Sequence, residues 1–300
     1  ADEVLRTRLR CRDGFADSRV TIVDPAMGTG TFLSEIIDLV ADRRALRGDG
    51  FRGEAVEELA HRLIGFEREM GAFAVAQMRI MQTLRRQDTH ARLADLALHL
   101  ADTLADPWRQ ETLLHWNLHS DPLLRNRAAA DEIKRDWPVT VVIGNPPDRE
   151  RAEGEGGWIE KGAVGRGAPL LDAFRLGGPN GRHEHKLKNL YVYFWRWATY
   201  KVFEQHRPGH QQGVVCFIST AGFLRGPGFK GMREYLRRMC SEGWIIDLSP
   251  EGIQPDVPTR LFPEVQQQLA IAMFVRGADT SGAPATIRYV ALSGSRAEKY

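Results

Sequence analysis

The stretch Val20-Thr21-Ile22-Val23-Asp24-Pro25-Ala26-Met27-Gly28-Thr29-Gly30-Thr31-Phe32-Leu33 decides the fold. Its first four residues are a β-branched, apolar run that predicts a short buried strand over 20–23. Asp24-Pro25 ends that strand, because proline has no amide hydrogen to give to a ladder. A turn carrying Gly28 and Gly30 follows. Leu33, Ile36, Ile37 and Val40 then recur at helical spacing and predict one apolar stripe. Strand, glycine turn and helix in that order open a βαβ unit, and open α/β sheets bind ligands outside the carboxyl ends of their strands. The turn lacks the third glycine of the dinucleotide fingerprint, and the chain has no Gly-Lys-Ser/Thr of a phosphate loop. An acid before so short a turn suits a nucleoside that carries an amino acid, since Asp24 can meet an ammonium group.

Outward from this point the pattern alternates. Residues 54–62 predict a helix, and 63–66 predict a strand ended by Glu67. A helix over 73–84 has Ala74, Met78 and Met81 on one side. Leu96, Leu98 and Leu100 alternate as a strand that stops at Asp102-Thr103, residues 122–135 predict a helix with Pro122 in its first turn, and 139–143 predict a fourth strand. Helices are expected over 191–204 and 231–239 and strands over 213–218 and 244–248. An edge or penultimate strand is expected over 269–275. The expected fold is α/β, a doubly wound, mostly parallel, seven-stranded Rossmann-like sheet with helices on both faces. Three stretches divide the chain: 1–148, a long glycine-rich, mobile loop at 149–189, and 190–300.

Composition narrows the class without naming it. A net charge of +2 over 300 residues argues neither for nor against a nucleic-acid partner, because a basic face can hide in a balanced total. Cys11, Cys216 and Cys240 have neither metal spacing nor a disulfide framework, which points to a reducing cytoplasm. No apolar run approaches the roughly 18 residues of a membrane span, and no signal peptide opens the chain. His183 and His185 lack a third ligand at metal spacing, so no metal is expected. A start at Ala1 and a polar end read as an excised piece of a longer protein.

The second motif is Asn145-Pro146-Pro147-Asp148, directly after the fourth strand. An arylamine or amide nitrogen is a poor nucleophile while its lone pair is delocalised. Two acceptors placed against its hydrogens favour the pyramidal form, and the Asn145 side-chain oxygen and the Pro146 carbonyl can be those acceptors, held by two rigid prolines.

With both motifs in hand, the sequence resembles the amino-methyltransferases of the γ order, where an Asp-Pro-x-x-Gly-x-Gly motif precedes an Asn-Pro-Pro-aromatic motif. It is most similar to the N6-adenine methylase domain of the type ISP and type IIG restriction–modification enzymes, over nearly the whole chain. Phe66-Glu67, Asp102-Thr103-Leu104, residues 217–220, residues 223–229 and residues 258–263 also carry the resemblance.

The resemblance implies S-adenosylmethionine as cofactor and double-stranded DNA as partner, and no membrane. Residues 1–148 become the cofactor-binding half and 190–300 the target-binding half with the start of a C-terminal extension. Nuclease, motor and sequence-recognition parts are expected elsewhere in the same longer chain. Asp24 maps near the methionine part of the cofactor, with Ala26, Gly28 and Gly30 around it. Glu67 maps to the ribose hydroxyls, and Asp102, preferred over Asn117 and Asp121, to the cofactor's adenine amine beside Leu104. Asn145, Pro146, Pro147 and Asp148 map to the catalytic motif. Phe262 maps to a second aromatic facing the target base, and Arg225 and Lys230 to DNA phosphates in a basic segment that continues through Arg233, Arg237 and Arg238. One position departs: Asp148 stands where the pattern has an aromatic that stacks on a flipped-out base. Losing that contact removes about 1–3 kcal/mol, about tenfold to more than a hundredfold in rate. A protein-glutamine N5 methyltransferase and a decayed cofactor- and DNA-binding module are the alternatives.

Overall fold

The computed structural model describes residues 1–46, 52–87, 89–109, 121–205, 212–252, 259–262, 265–277 and 282–299. The chain divides into two compact units, one of residues 1–144 with 163–167 and one of residues 145–162 with 168–300.

The first unit runs α1 (Asp2–Arg8), β1 (Ile22–Asp24), α2 (Thr31–Leu46), α3 (Arg52–Ala60), β2 (Leu63–Glu67), α4 (Met70–Arg86), β3 (Ala97–Leu100), α5 (Pro122–Asp136) and β4 (Val141–Gly144). Its strands lie in the order β3-β2-β1-β4, every pairing parallel, with Asp24 in register with Gly65 and Glu67 with Leu100. Ile22, Val23, Leu63, Ile64, Phe66, Val141 and Val142 are fully buried, as a parallel sheet covered on both faces requires. Leu33, Ile36, Ile37 and Val40 form the buried stripe of α2 that the sequence predicts.

Helix α4 differs from expectation. Ala76, Ile80, Thr83 and Leu84 are buried, whereas Ala74 and Met78 are exposed. The reason is close approach: a Cβ on Gly30 would lie 3.1 Å from the Ala76 Cβ, so the helix meets the glycine turn through its smallest side chain. Asp121 is the N-cap of α5, accepting from the Leu123 amide at 2.8 Å. Asn126 on the same helix donates to the Leu98 carbonyl and accepts from the Leu100 amide, satisfying backbone groups of β3.

The second unit runs α6 (Gly157–Lys161), α7 (Leu190–Phe203), β5 (Gly213–Thr220), α8 (Gly222–Arg225), α9 (Lys230–Met239), β6 (Glu242–Asp247), β7 (Leu269–Arg276), β8 (Thr286–Ala291) and α10 (Arg296–Lys299). Strand β7 pairs antiparallel with both β5 and β6, and β8 pairs parallel with β6. The strand expected at an edge or next to one, β7, is paired on both sides, between β5 and β6. Strand β8 was not expected: most of its residues are exposed, so it carries no apolar alternation to read. With it each unit has four strands among the described residues, one more in total than the expected seven.

The segment expected as a bare loop contains α6 and two 3-10 stretches, Leu170–Phe174 and Gly178–Leu187, and buries Trp158, Ile159, Leu171, Phe174 and Leu187. Its residues 163–167 belong to the first unit, where the Arg166 guanidinium lies 4.6 Å from the Trp108 ring. Helix α7 is buried nearly all round. Trp195 meets Phe217 edge-on at 5.1 Å and Phe274 at 5.8 Å, and its indole N–H donates to the Ser219 hydroxyl at 3.1 Å. Arg196, 1% exposed, makes a bidentate pair with Glu204 at 2.7 and 3.0 Å and donates to the Leu170 carbonyl, so its charge is compensated within the core.

Trp195→Ala leaves the largest ring contact of the second unit empty. It is expected to cost about 3–5 kcal/mol, measured by urea unfolding, whereas the exposed Met78→Ala changes stability by less than about 0.5 kcal/mol.

Candidate functional site

Parallel pairing brings the carboxyl ends of β1, β2 and β3 to one edge of the first unit. Short bonds lace them together there. Met27 donates its amide to the Phe66 carbonyl at 2.9 Å, Ala101 donates to the Glu67 carbonyl at 2.9 Å, and the Thr103 hydroxyl donates to the Pro25 carbonyl. Gly28 and Gly30 both have positive φ, +53° and +76°, which lets the chain turn back within a few residues of the strand. That turn aims the Gly28 amide at Glu67, whose Oε2 accepts it at 2.9 Å, while Oε1 accepts from the Glu69 amide at 2.7 Å.

Asp24 is 0% exposed. Its Oδ1 accepts from the Ala26 amide at 3.1 Å, and its buried Oδ2 has no hydrogen-bond partner among the described residues. Burial pushes its pKa up from 3.8 to about 7; the Ala26 amide opposes the shift and the nearby Glu67 charge adds to it. Gly144 makes the position of Asp24 possible, because a Cβ there would sit 2.6 Å from Asp24 Oδ1. Asp102 is exposed, and its Oδ1 accepts from the Leu104 amide at 2.8 Å in a tight turn that buries Leu104. Lys134, whose side chain is 1% exposed, donates to the Asp102 carbonyl at 2.8 Å and fixes that turn from below. Asp24, Ala26, Gly28, Gly30, Glu67, Asp102 and Leu104 thus share one edge of one unit. Of the two alternatives to Asp102, Asp121 is occupied as a helix cap and Asn117 lies outside the described residues.

Asn145, Pro147 and Asp148 are exposed at the start of the second unit, and Pro146 is buried. Asp148 Oδ1 accepts from the Asn189 side-chain amide at 2.8 Å, and Asn189 in turn caps α7 by accepting from the Tyr191 amide at 3.2 Å. Desolvation pushes the Asp148 pKa up; the bond from Asn189 lowers it and the Glu150 charge raises it further. Asp148 lines a cavity of about 650 Å³ whose other walls include Tyr191, Phe229 and residues 266–268. Gly228 closes one side of it, since a Cβ there would lie 2.2 Å from the His183 carbonyl oxygen.

The remaining expected contacts stand apart. Among the described residues lining the cavity, Phe262, Arg225 and Lys230 are absent. Phe262 is 41% exposed, and Pro258 and Pro263 of its motif lie outside the described residues. Arg225 approaches the Tyr289 hydroxyl at 3.3 Å, and Lys230 faces Glu234 at 3.8 Å. Arg233 is not a surface cation: it donates to the carbonyls of Phe223 and Gly226 at 2.8 and 2.7 Å, holding the turn between α8 and α9. Among the described residues no group of three His, Cys, Asp or Glu side chains forms a metal cluster, and no helix is long and apolar enough to cross a membrane. Asn189, Tyr191, Phe229 and Thr103 were given no site role from the sequence. Only Asn189 carried a legible signal, a capping residue before an apolar helix.

No protein-family model matches the chain, and no curated protein does. Solved structures do. The chain superposes on the ATP-dependent Type ISP restriction-modification enzyme LlaBIII bound to DNA with a TM-score of 0.77 at 18% identity, over 99% of this chain and 19% of that one. A nuclease-deletion mutant of the Type ISP restriction-modification enzyme LlaGI, in complex with a DNA substrate mimic, gives 0.76 at 18% identity, over 99% and 24%. The DrdV–DNA complex gives 0.69 at 22% identity, over 99% and 27%. The fold is that of a domain within restriction-modification enzymes. The chain spans between 19% and 27% of the length of these three chains.

Because the native pKa of Asp24 lies above the ordinary carboxylate value, the protonated form is favoured by folding. The ligand-free protein is expected to lose stability as pH rises from about 4 to about 7, and Asp24→Asn to remove that part of the slope in thermal unfolding. Gly144→Ala, which crowds the same carboxyl group, is expected to cost about 1–3 kcal/mol by urea unfolding.

Proposed function

We propose that the chain is the core of an S-adenosylmethionine-dependent DNA methyltransferase of a restriction–modification or phage-defence enzyme, acting on the N6 amine of a flipped-out adenine. The observation that carries the reading is the buried, unpaired Oδ2 of Asp24 beside a glycine turn. A buried carboxyl with an empty acceptor position calls for a donor from a ligand, and the ammonium of the cofactor's methionine part is a donor of the right charge. The fold supports the same reading, since it occurs within DNA-bound restriction-modification enzymes.

The residues present fit the cofactor. Asp24 receives the ammonium, with the Ala26 and Gly28 backbone against it and Gly30 admitting α4 behind the turn. Each Glu67 oxygen already accepts one backbone amide and keeps a lone pair for a ribose hydroxyl. Asp102 takes the adenine amine at the rim, next to buried Leu104. The cofactor supplies a methyl group activated on a sulfonium sulfur. The side-chain oxygen of Asn145 and the carbonyl of Pro146 accept from the target amine and favour its pyramidal, nucleophilic form, and Pro147 stiffens the chain that carries both. Phe262 serves the far side of the base, and Arg225 and Lys230 meet phosphates of double-stranded DNA. In the LlaBIII and LlaGI enzymes the matching domain is 19% and 24% of the chain, and nuclease, motor and sequence-recognition parts are proposed as partners of this one.

Asp148 favours one second reading, a decayed cofactor- and DNA-binding module, because a carboxylate has no π face. Transfer of labelled methyl from S-adenosylmethionine to mixed-sequence DNA separates the two. Label in N6-methyladenine that disappears with Asn145→Ala supports the enzyme; label only after tyrosine is inserted before Asp148 supports the decayed module; label in neither overturns both the DNA target and the catalytic role of Asn145. A second measurement tests Asp24. An ammonium-bearing ligand stabilises its ionised form, so S-adenosylhomocysteine binding near pH 6.5 is expected to release protons in calorimetry. Asp24→Asn is expected to abolish the release and weaken binding about tenfold or more.

A further inference from the structure

The cavity of the second unit combines features that point to one kind of ligand. Its volume, about 650 Å³, is in the range of small-molecule sites. The Tyr191 and Phe229 rings, with centroids 6.1 Å apart, form an apolar wall. Arg151, Lys186 and Lys188 supply cationic groups to the lining; Lys186 and Lys188 are paired with Glu150 and Glu153, and Arg151 makes no ion pair among the described residues. Two acids share the lining with these cations: Glu150, which is taken up by Lys186, and Asp148.

Asp148 is held rather than dangling. One oxygen is fixed by Asn189, which is buried and fixed itself as the cap of α7. The other oxygen makes no hydrogen bond among the described residues, and no lysine or arginine pairs with the carboxyl group. A fixed carboxyl oxygen with spare capacity takes an N–H donor. A free cation would be repelled by the lysines and arginine of the same lining, whereas a ligand that carries an amine at one end and a phosphate at the other satisfies both. An apolar wall between the two suits a flat ring. An amine-bearing nucleotide meets all three conditions.

We propose that this cavity is an entry subsite for a single unstacked nucleotide, in which Asp148 accepts a hydrogen bond from the exocyclic amine of the base. This rests on the methyltransferase reading for its substrate, DNA, and adds a step to it. The base is captured by its edge at Asp148 before its amine reaches Asn145, where the Asn-Pro-Pro-aromatic pattern would capture it by its face. An acceptor at that point selects adenine, cytosine and guanine over thymine, the one DNA base without an exocyclic amine, which a stacking ring does not do.

The test compares binding of deoxyadenosine 5′-monophosphate with that of the same nucleotide whose amine is replaced by hydrogen, both titrated by NMR into the whole chain. A hydrogen bond to a charged acceptor predicts about tenfold or more preference for the amine-bearing nucleotide. Asp148→Asn keeps an oxygen for Asn189 but turns a donor toward the amine, so the preference is expected to disappear while the melting temperature and S-adenosylhomocysteine affinity stay unchanged. Equal affinity for the two nucleotides, a preference that survives in Asp148→Asn, or no saturable binding of either overturns the subsite. Nucleotide preference in a chain that binds no S-adenosylhomocysteine would keep the subsite and overturn the methyltransferase reading instead.

Discussion

Strand β1 is three residues long and lies between β2 and β4, so both of its edges are hydrogen-bonded and both faces are covered. That constraint governs the first unit. A strand enclosed on all sides carries its last residue out of water with it, and that residue is Asp24. The chain cannot relieve the burial by swinging away, because Pro25 follows at once and its carbonyl is held by Thr103. Space for the carboxyl group comes from Gly144 on the neighbouring strand. The strain of a half-satisfied buried acid is thus a result of strand order rather than of an accident in one side chain. The same order gathers Glu67, at the end of β2, and Asp102, two residues past β3, to the same edge.

In the second unit the corresponding constraint is close packing around α7. A helix buried nearly all round must place its polar groups against partners; three side chains of α7 and its cap find them, while the buried Tyr191 and Tyr193 hydroxyls find none among the described residues. Trp195 reaches Ser219, Arg196 reaches Glu204 and the Leu170 carbonyl, and Asn189 at the cap reaches Asp148. The last of these bonds connects the core to the motif. The orientation of Asp148 follows from the position of α7, so a change in that helix is transmitted to the motif through one side-chain amide. The segment 168–188 is drawn onto the same core by Leu171, Phe174 and Leu187. Its short turns meet the loop before α9 so closely that Gly228 has no room for a side chain.

Elements with strong periodicity were legible in the sequence. The buried stripe of α2, the start of α5 at Pro122 and the four parallel strands of the first unit lie within a few residues of where spacing and β-branching put them. The first motif was legible as a tight turn after a strand, and Gly28 and Gly30 adopt the positive φ that such a turn requires. What failed to show had physical causes. The inward face of α4 was set by the need for a small residue opposite Gly30, and a helix with methionines on its outer side gives the wrong stripe to a hydrophobicity count. Strand β8 is exposed along most of its length, so its pairing leaves no mark in the pattern. The glycine-rich stretch hid its order because its buried residues, Trp158, Phe174 and Leu187 among them, are spaced for tertiary contact rather than for a repeat. Arg233 read as a phosphate contact because charge alone cannot distinguish a surface cation from one that ties a turn.

The same limit applies to Asp148, which from sequence reads as a loss. Removing an aromatic takes away a stacking term of about 1–3 kcal/mol that is blind to base identity, since every base has a π face. A carboxyl group held by a buried amide offers a hydrogen bond of about 1.5–3 kcal/mol that is not blind, since only some bases present an amine. The two terms are of similar size and opposite selectivity. The consequence of the exchange therefore depends on whether the acid is positioned, not on whether it is aromatic. In this chain it is positioned: Asn189 fixes one oxygen and leaves the other unengaged. An unanchored aspartate would lose that contribution to side-chain entropy and to water. The bond from the cap of α7 is what separates a degraded motif from one that binds the base in a different way.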